Sequence, residues 1–502
     1  MEVDQVIKHL KDWIVEADIA SMQAAMETGS VTSEELVRVY LERIGEYDSA
    51  INTILEINPD AIHIAKDLDK EREETGSRGN LHGIPILLKD NIDTHDNMHT
   101  SAGSIALADS FAAKDSFVAA KLRAAGAVLL GKTNMSEWSN FMSSSMPAGY
   151  SSRGGQVLNP YGPGEMFVSG SSSGSAAAVA ANLGAASIGT ETAGSIVGPA
   201  SQHFVVGIKP TVGLVSRAGI IPISSSQDTP GPIARTVKDA VILLGALTGA
   251  YSEDPATFAS SKATLQDYTP FLDASFVRKA RIGIPRHYYQ HLDKERLAIM
   301  EAAIATLTKE GATIVDPVSL HVEQQNWNND AITYEFKKGL NAYLSRLAED
   351  IPVHSLEELI AYNHNHAEAA LQFGQDTLVR SQETTLTEET YRQKMQAYKE
   401  LPLQRGIDYA LDKDDLDALL LPGDVDGLYI AARLGYPLIS VPAGYAKEGV
   451  IDARGHSTKG PFGVVFSGRA FSEPTLIQIA YGFEQATHHR VPPDLDKKNV
   501  RE

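Results

Sequence analysis

The stretch Ala119–Gly131, AAKLRAAGAVLLG, decides how this chain folds. Ala119 to Ala125 are mostly strong helix formers, Gly126 supplies a stop, and Ala127-Val128-Leu129-Leu130 make an apolar run short enough for a buried strand before Gly131. Helix, stop and buried strand is the rhythm of an α/β domain. Upstream, Leu81–Leu88 (LHGIPILL) is mostly apolar and too short for a free helix, and the polar runs Arg78-Gly79-Asn80 and Lys89-Asp90-Asn91 bound it. The pattern predicts a buried strand over 81–88 that ends in polar groups. Downstream, Asp417–Pro422 and Pro437–Pro442 resume the buried-strand pattern. Earlier still, Thr32-Ser33-Glu34-Glu35 has capping-box spacing, and Leu36, Val37, Tyr40, Leu41 and Ile44 recur on one helical face.

Between these regions the texture changes. Ser143–Ser175 is dense in Gly, Ser, Pro and Asn and predicts irregular, well hydrogen-bonded backbone; Ala176–Leu183 predicts a small-residue helix. From Tyr251 to Leu401 helical patterns dominate, as in Tyr334–Leu347 and Glu388–Glu400. With no internal repeat, low-complexity tract or linker, residues 1–502 read as one large domain carrying a helix-rich insertion over 250–400.

Composition narrows the function. The 502 residues (54.1 kDa) are 22% charged and 43% hydrophobic, ordinary globular usage rather than that of a disordered chain. A net charge of −20 opposes nucleic-acid or anionic-membrane partners, which need a basic face. The absence of cysteine excludes a disulfide framework, a thiol nucleophile and thiolate zinc sites. Met1–Ser30 is interrupted by Glu2, Asp4, Lys8, Lys11, Asp12, Glu16 and Asp18, so it holds no apolar signal core, and no membrane-length apolar run follows. The expectation is a soluble, cytoplasmic protein.

For chemistry, the unusual segment is Val168–Pro199, VSGSSSGSAAAVAANLGAASIGTETAGSIVGP, where two Gly/Ser-rich turns, Gly170–Gly174 and Ala193-Gly194-Ser195, flank a short helix and a small-residue strand. Both turns can return to one point. A serine becomes a nucleophile when a base takes its proton and backbone amides receive the oxyanion. Ala193 and Gly194 allow close approach of backbone to substrate, and Lys89, at the end of an apolar strand, is a candidate base once burial lowers its pKa. The same residues also fit two flexible serine loops and an exposed strand-end lysine. Gly170–Gly174 satisfies G-x-S-x-G with Ser172 central, the pattern of an α/β-hydrolase nucleophile elbow, with His287, His354 and His456 as available histidines. His364-Asn365-His366 and His488-His489 offer a weaker metal-hydrolase alternative, since no H-E-x-x-H occurs.

Ordered blocks separate these readings. Gly83-Ile84-Pro85-Ile86-Leu87-Leu88-Lys89-Asp90-Asn91, Gly170-Ser171-Ser172-Ser173-Gly174-Ser175 and Thr190-Glu191-Thr192-Ala193-Gly194-Ser195-Ile196 resemble the amidase-signature family, and Gly207–Thr211, Asp228–Pro232 and Gly468–Pro474 continue the match. The resemblance covers nearly the whole chain and is weakest between 250 and 400. It implies a central mixed β-sheet covered by helices on both faces. It also implies a cofactor-free, metal-free amide hydrolase with Ser195 as acyl-forming nucleophile, Lys89 as base, and Ser171 as relay after a cis bond from Gly170. Backbone N–H groups around Thr192, Ala193, Gly194 and Ser195 would form the oxyanion hole, with Gly170, Ser172 and Thr190 against the substrate. Glu137–Phe141, Gly154–Gln156 and Tyr334–Lys337 resemble the peptide-amidase branch, whose members remove C-terminal amides. The expected partner is a small-molecule or peptide amide, and the expected state a monomer or homodimer. Ala193, Val197 and Gln202-His203-Phe204 depart from the family pattern; Val197 replaces a frequent arginine and so argues against anchoring a substrate carboxylate. A non-catalytic scaffold and an amidotransferase subunit are the other readings; the retained Lys89, Ser171 and Ser195 oppose the first, and Val197 with the peptide-amidase-like blocks the second.

Overall fold

Thirteen short strands order the architecture of the computed structural model, which describes residues 10–260, 263–321, 329–423 and 427–496. They are β1 (Ile54–Ile57), β2 (Pro85–Lys89), β3 (Val128–Thr133), β4 (Tyr150–Ser151), β5 (Gly155–Gln156), β6 (Ala186–Glu191) and β7 (Val206–Lys209), then β8 (Thr229–Ala234), β9 (Arg281–Gly283), β10 (Thr313–Val315), β11 (Ala418–Pro422), β12 (Leu438–Ala446) and β13 (Gly460–Ser467). Eleven of them form one sheet in the order β1-β3-β2-β6-β8-β7-β12-β13-β11-β9-β10, while β4 and β5 pair separately. The sheet is mixed: β2 lies parallel to β3 and β6, whereas β8, β7, β12 and β13 run antiparallel to their neighbours. Every residue of β2, β3, β6, β7, β8, β11 and β13 is buried. Successive side chains on a strand point to opposite faces, so this pattern means that both faces are covered.

The sequence signals map onto this frame with local shifts. Ser116 caps the helix Phe117–Ala124, accepting from Ala119 N–H at 3.1 Å, and Gly126 (φ +80°) stops it before β3. The capping box forms on the helix Ser33–Tyr47, with Thr32 N–H donating to Glu35 Oε2 at 2.8 Å. The strand expected over 81–88 starts only at Pro85: residues 79–84 form turns, with His82 N–H on Gly79 O and Ile84 N–H on Leu81 O at 3.1 Å each, around Gly83 at φ +78°. Lys89 is therefore the last residue of the strand itself. The helix expected over 176–183 runs Ser173–Ala180, and Asn182 in the left-handed region (φ +56°) follows its end.

The stretch from 251 to 401 divides in two. Its first half contributes β9 and β10 to the sheet edge, packed by the helix Lys294–Lys309; strands of three residues carry too little alternation to be read from sequence. Its second half is a helical layer, Asp330–Leu344, Leu356–Asn365, Asp376–Gln382 and Glu388–Arg405. Phe336, Leu340 and Leu378 of this layer form a separate hydrophobic cluster with Met135, Trp138 and Met142. The helices thus pack over the irregular 135–146 segment. Among the described residues no helix is long and apolar enough to cross a membrane.

Candidate active site

The parallel neighbours β2 and β6 end side by side, which brings Lys89 to Thr190. Lys89 is fully buried, and its Nζ donates to Ser171 Oγ at 2.7 Å, Thr190 Oγ1 at 2.9 Å and Thr190 O at 3.3 Å. Asn91 Nδ2 holds Thr190 Oγ1 from the other side at 3.0 Å. Burial disfavours the ammonium and pulls the Lys89 pKa down to about 7, although the negative charges of Asp228 and Glu191 oppose the shift. A lysine poised there can act as a base near neutral pH.

The glycine-serine turn that feeds the helix Ser173–Ala180 presents Ser171 to this amine. The Gly170–Ser171 peptide is cis, and Ser171 O accepts from Ser136 N–H at 3.1 Å. A Cβ at Gly170 would lie 2.4 Å from Ser136 Oγ, so any larger residue there would displace that hydroxyl. Ser172 serves as a tie. Its Oγ donates to Thr190 O at 3.1 Å and accepts from Thr190 N–H at 3.2 Å, while its own N–H donates to Ser195 O at 3.1 Å. The two Gly/Ser turns thus do return to one point. Of Lys89, Ser171, Ser172 and Ser195, only Ser195 retains measurable exposure, 8% against 0% for the others. Ser195 Oγ makes no hydrogen bond among the described residues.

The loop that carries Ser195 is clamped by two carboxylates. Glu191, buried at the end of β6, accepts from the N–H groups of Gly194 (2.8 Å), Ile196 (2.7 Å) and Val197 (3.0 Å). Asp228 accepts from Thr192 Oγ1 at 2.6 Å and from the N–H groups of Ile223 and Ser224 at 2.8 Å each, and burial raises its pKa to about 6. Gln227 Nε2 donates to Thr192 O at 3.1 Å. This corrects one element of the sequence reading: the Gly194 N–H, expected to face an oxyanion, is committed to Glu191. The N–H groups of Thr192, Ala193 and Ser195 find no acceptor among the described residues. Glu191 and Asp228 stand inside the family-like blocks, but the sequence alone assigns them no role. The available signal was an acid three residues ahead of a glycine turn, the spacing of a carboxylate that caps backbone amides.

Two other placements differ from the sequence reading. Ser172, expected against the substrate and alternatively read as an elbow nucleophile, is internal, and its Oγ serves Thr190 on both sides. Among the described residues no histidine bonds to it: His456 stacks on Phe167 at 3.9 Å, His287 faces Tyr288 at 5.2 Å, and the His354 N–H donates to Glu358. Thr190 spends its hydroxyl on Lys89 and Asn91, although it also borders a cavity of about 260 Å³ lined by Asn91, Ser139, Thr192, Ile221 and Asp228. Gly170, by contrast, is only half-buried. Among the described residues no group of three histidine, aspartate or glutamate side chains could hold a metal ion.

Comparison with known proteins identifies the family and the fold. Residues 35–477 match the family described as Amidase. The native peptide amidase from Stenotrophomonas maltophilia superposes with a TM-score of 0.87 at 42% identity, covering 96% of this chain and 99% of that one. An amidase family protein from Bacillus anthracis superposes with a TM-score of 0.90 at 38% identity, covering 98% and 94%. A probable amidase from Arabidopsis thaliana is 43% identical over 491 residues, 96% of this chain and 92% of its own length. The chain therefore belongs to the amidase family, on its peptide-amidase-like branch, and is an amide hydrolase.

Proposed function

We propose that the chain hydrolyses uncharged carboxamides through an acyl-enzyme on Ser195, with Lys89 as base and Ser171 as proton relay. The observation that carries this reading is the buried Lys89 amine, 2.7 Å from Ser171 Oγ and tied through Ser172 N–H (3.1 Å to Ser195 O) to Ser195, which keeps 8% exposure where Ser171 and Ser172 have none. Neutral Lys89 takes the Ser171 hydroxyl proton while Ser171 takes that of Ser195, whose Oγ attacks the amide carbon. The oxyanion is received by the free N–H groups of Thr192, Ala193 and Ser195, each aligned donor worth on the order of 10²–10³ in rate. As the tetrahedral species collapses, the proton returns through Ser171 to the departing nitrogen, which leaves as amine or ammonia. Water then attacks the acyl ester by the same relay, freeing the acid and Ser195. None of these steps calls on a metal or organic cofactor.

For the substrate, similarity to a peptide amidase over nearly the full chain supports the primary amide of a peptide or peptide-like acyl group. Val197 is buried and offers no cation near the nucleophile, in keeping with a neutral substrate. A parallel screen of a peptide amide, an aliphatic amide, an anilide, a carbamate and an ester, run on the parent and on Lys89→Ala, tests the proposal. The expected result is ammonia release from the peptide amide by the parent, reduced at least ~10³-fold in the variant. Comparable turnover by both proteins would remove Lys89 from the mechanism.

A further inference from the structure

We infer that Glu191 is a positioning residue for the oxyanion loop: its carboxylate, by holding the Gly194, Ile196 and Val197 amides, sets which backbone N–H groups face the reacting carbonyl. The inference rests on Ser195 being the nucleophile. Glu191 lies in β6 and is 1% exposed, and its three accepted hydrogen bonds bracket Ser195, one on the residue before it and two on the residues after. A buried carboxylate needs such donors, and a turn that rises past it must present its amides inward. Gly194 answers that demand in the left-handed region, φ +86°, where a glycine bears no steric cost. With Gly194 N–H turned toward Glu191, the flanking Ala193 and Ser195 amides have no acceptor among the described residues.

The opposite half of the loop is held by the second acid. Asp228 and Gln227 fix Thr192 through its hydroxyl and its carbonyl, so the four residues from Thr192 to Ser195 are suspended between two fixed points. Glu191 also stands between two buried lysines, and its charge acts on both Lys89 and Lys209. Lys209 Nζ spends itself on the backbone, donating to Tyr436 O at 2.8 Å and Pro210 O at 3.3 Å. Glu191 thus touches no reacting atom; it acts through the backbone that does.

Glu191→Gln is the discriminating variant. Its amide is close in size to the carboxylate but turns an NH₂ toward amide donors, so the clamp cannot close on all three. The expected outcome is a kcat lowered on the order of 100-fold with KM changed less than about threefold. Affinity for a peptide aldehyde, which forms a tetrahedral adduct on Ser195, should fall in parallel, while affinity for the free acid product stays level. A merely structural role would not divide the two ligands in this way. Unchanged kcat and aldehyde affinity, or losses confined to KM, would overturn the inference. Should Glu191→Gln not fold, Glu191→Asp, which keeps the charge but shortens the reach, is read by the same criteria. Ser195→Ala in the same assay separates the two proposals: turnover surviving in that variant counts against the nucleophile, whereas an inactive Ser195→Ala beside a fully active Glu191→Gln counts against the clamp alone.

Discussion

Lys89 concentrates the conflict between stability and chemistry in one side chain. Its burial at the end of β2 lowers its pKa to about 7, from the ordinary lysine value of 10.5. The proposed mechanism makes the neutral amine the working form, so kcat/KM should rise about tenfold per pH unit up to about pH 7 and stay level to about pH 9, which initial rates across that range will check. A rate that peaks in acid would contradict the base. The sign for stability follows from proton binding: between the folded and unfolded values the unfolded chain holds more protons, so the penalty of burying this group is complete below about pH 7 and fades toward pH 10. Lys89→Met should therefore be inactive yet more stable than the parent by roughly 2–4 kcal/mol near pH 7, with the gap narrowing in alkali; urea unfolding at two pH values measures it.

At the scale of elements, the site depends on how closely the helix Ser173–Ala180 approaches its neighbours. A Cβ on Gly174 would sit 2.3 Å from Asn134 O and 2.5 Å from Thr53 O, both rigid backbone. Gly174→Ala should cost about 3 kcal/mol in urea unfolding and, because Ser171 and Ser172 lead into this helix, should depress kcat more than fold stability alone accounts for. The elements that sequence revealed are those with a burial signature: the apolar runs of β2, β3, β11 and β12, the capped helix Ser33–Tyr47, and the glycine-stopped helix before β3. Those it hid are β9 and β10, whose three residues are too few for a period, and the early end of the helix after Ser171, set by a left-handed Asn182. The candidate site divides the same way. Lys89, Ser171 and Ser195 were legible through ordered blocks, although local pattern left each of them ordinary. The Glu191 and Asp228 clamps were not: the spacing from Glu191 to Gly194 hints at a cap, but which backbone amides each carboxylate holds depends on the chain path.

Across the whole molecule, the sheet brings Lys89 and Thr190, far apart in sequence, to neighbouring strand ends, and the segments around Glu16 and Arg490 meet at the end of the helix that follows Ser171. Arg490 binds Glu16 at 2.6 and 2.7 Å and reaches Ala180 O at 3.1 Å and Phe204 O at 2.8 Å, tying the C-terminal segment to the N-terminal one and to the end of that helix. Arg490→Ala leaves the half-buried Glu16 carboxylate with only Asn182 Nδ2, at 2.9 Å, among the described residues, so thermal and urea unfolding should report a loss of about 2–3 kcal/mol. The kcat should stay within about threefold of the parent, since no reacting group is touched. A larger kinetic effect would mean that the turn holding Ser171 is less insulated from the Glu16–Arg490 pair than the structure implies.

The measurement that bears most directly on the central claim is covalent: reaction of the intact protein with a fluorophosphonate, followed by fragmentation mass spectrometry across the segment that holds Ser171, Ser172 and Ser195. One adduct per chain, localised to Ser195 and formed far more slowly in Lys89→Ala, is the expected result. An adduct on Ser172, or labelling at Ser195 that is indifferent to Lys89, would contradict the account.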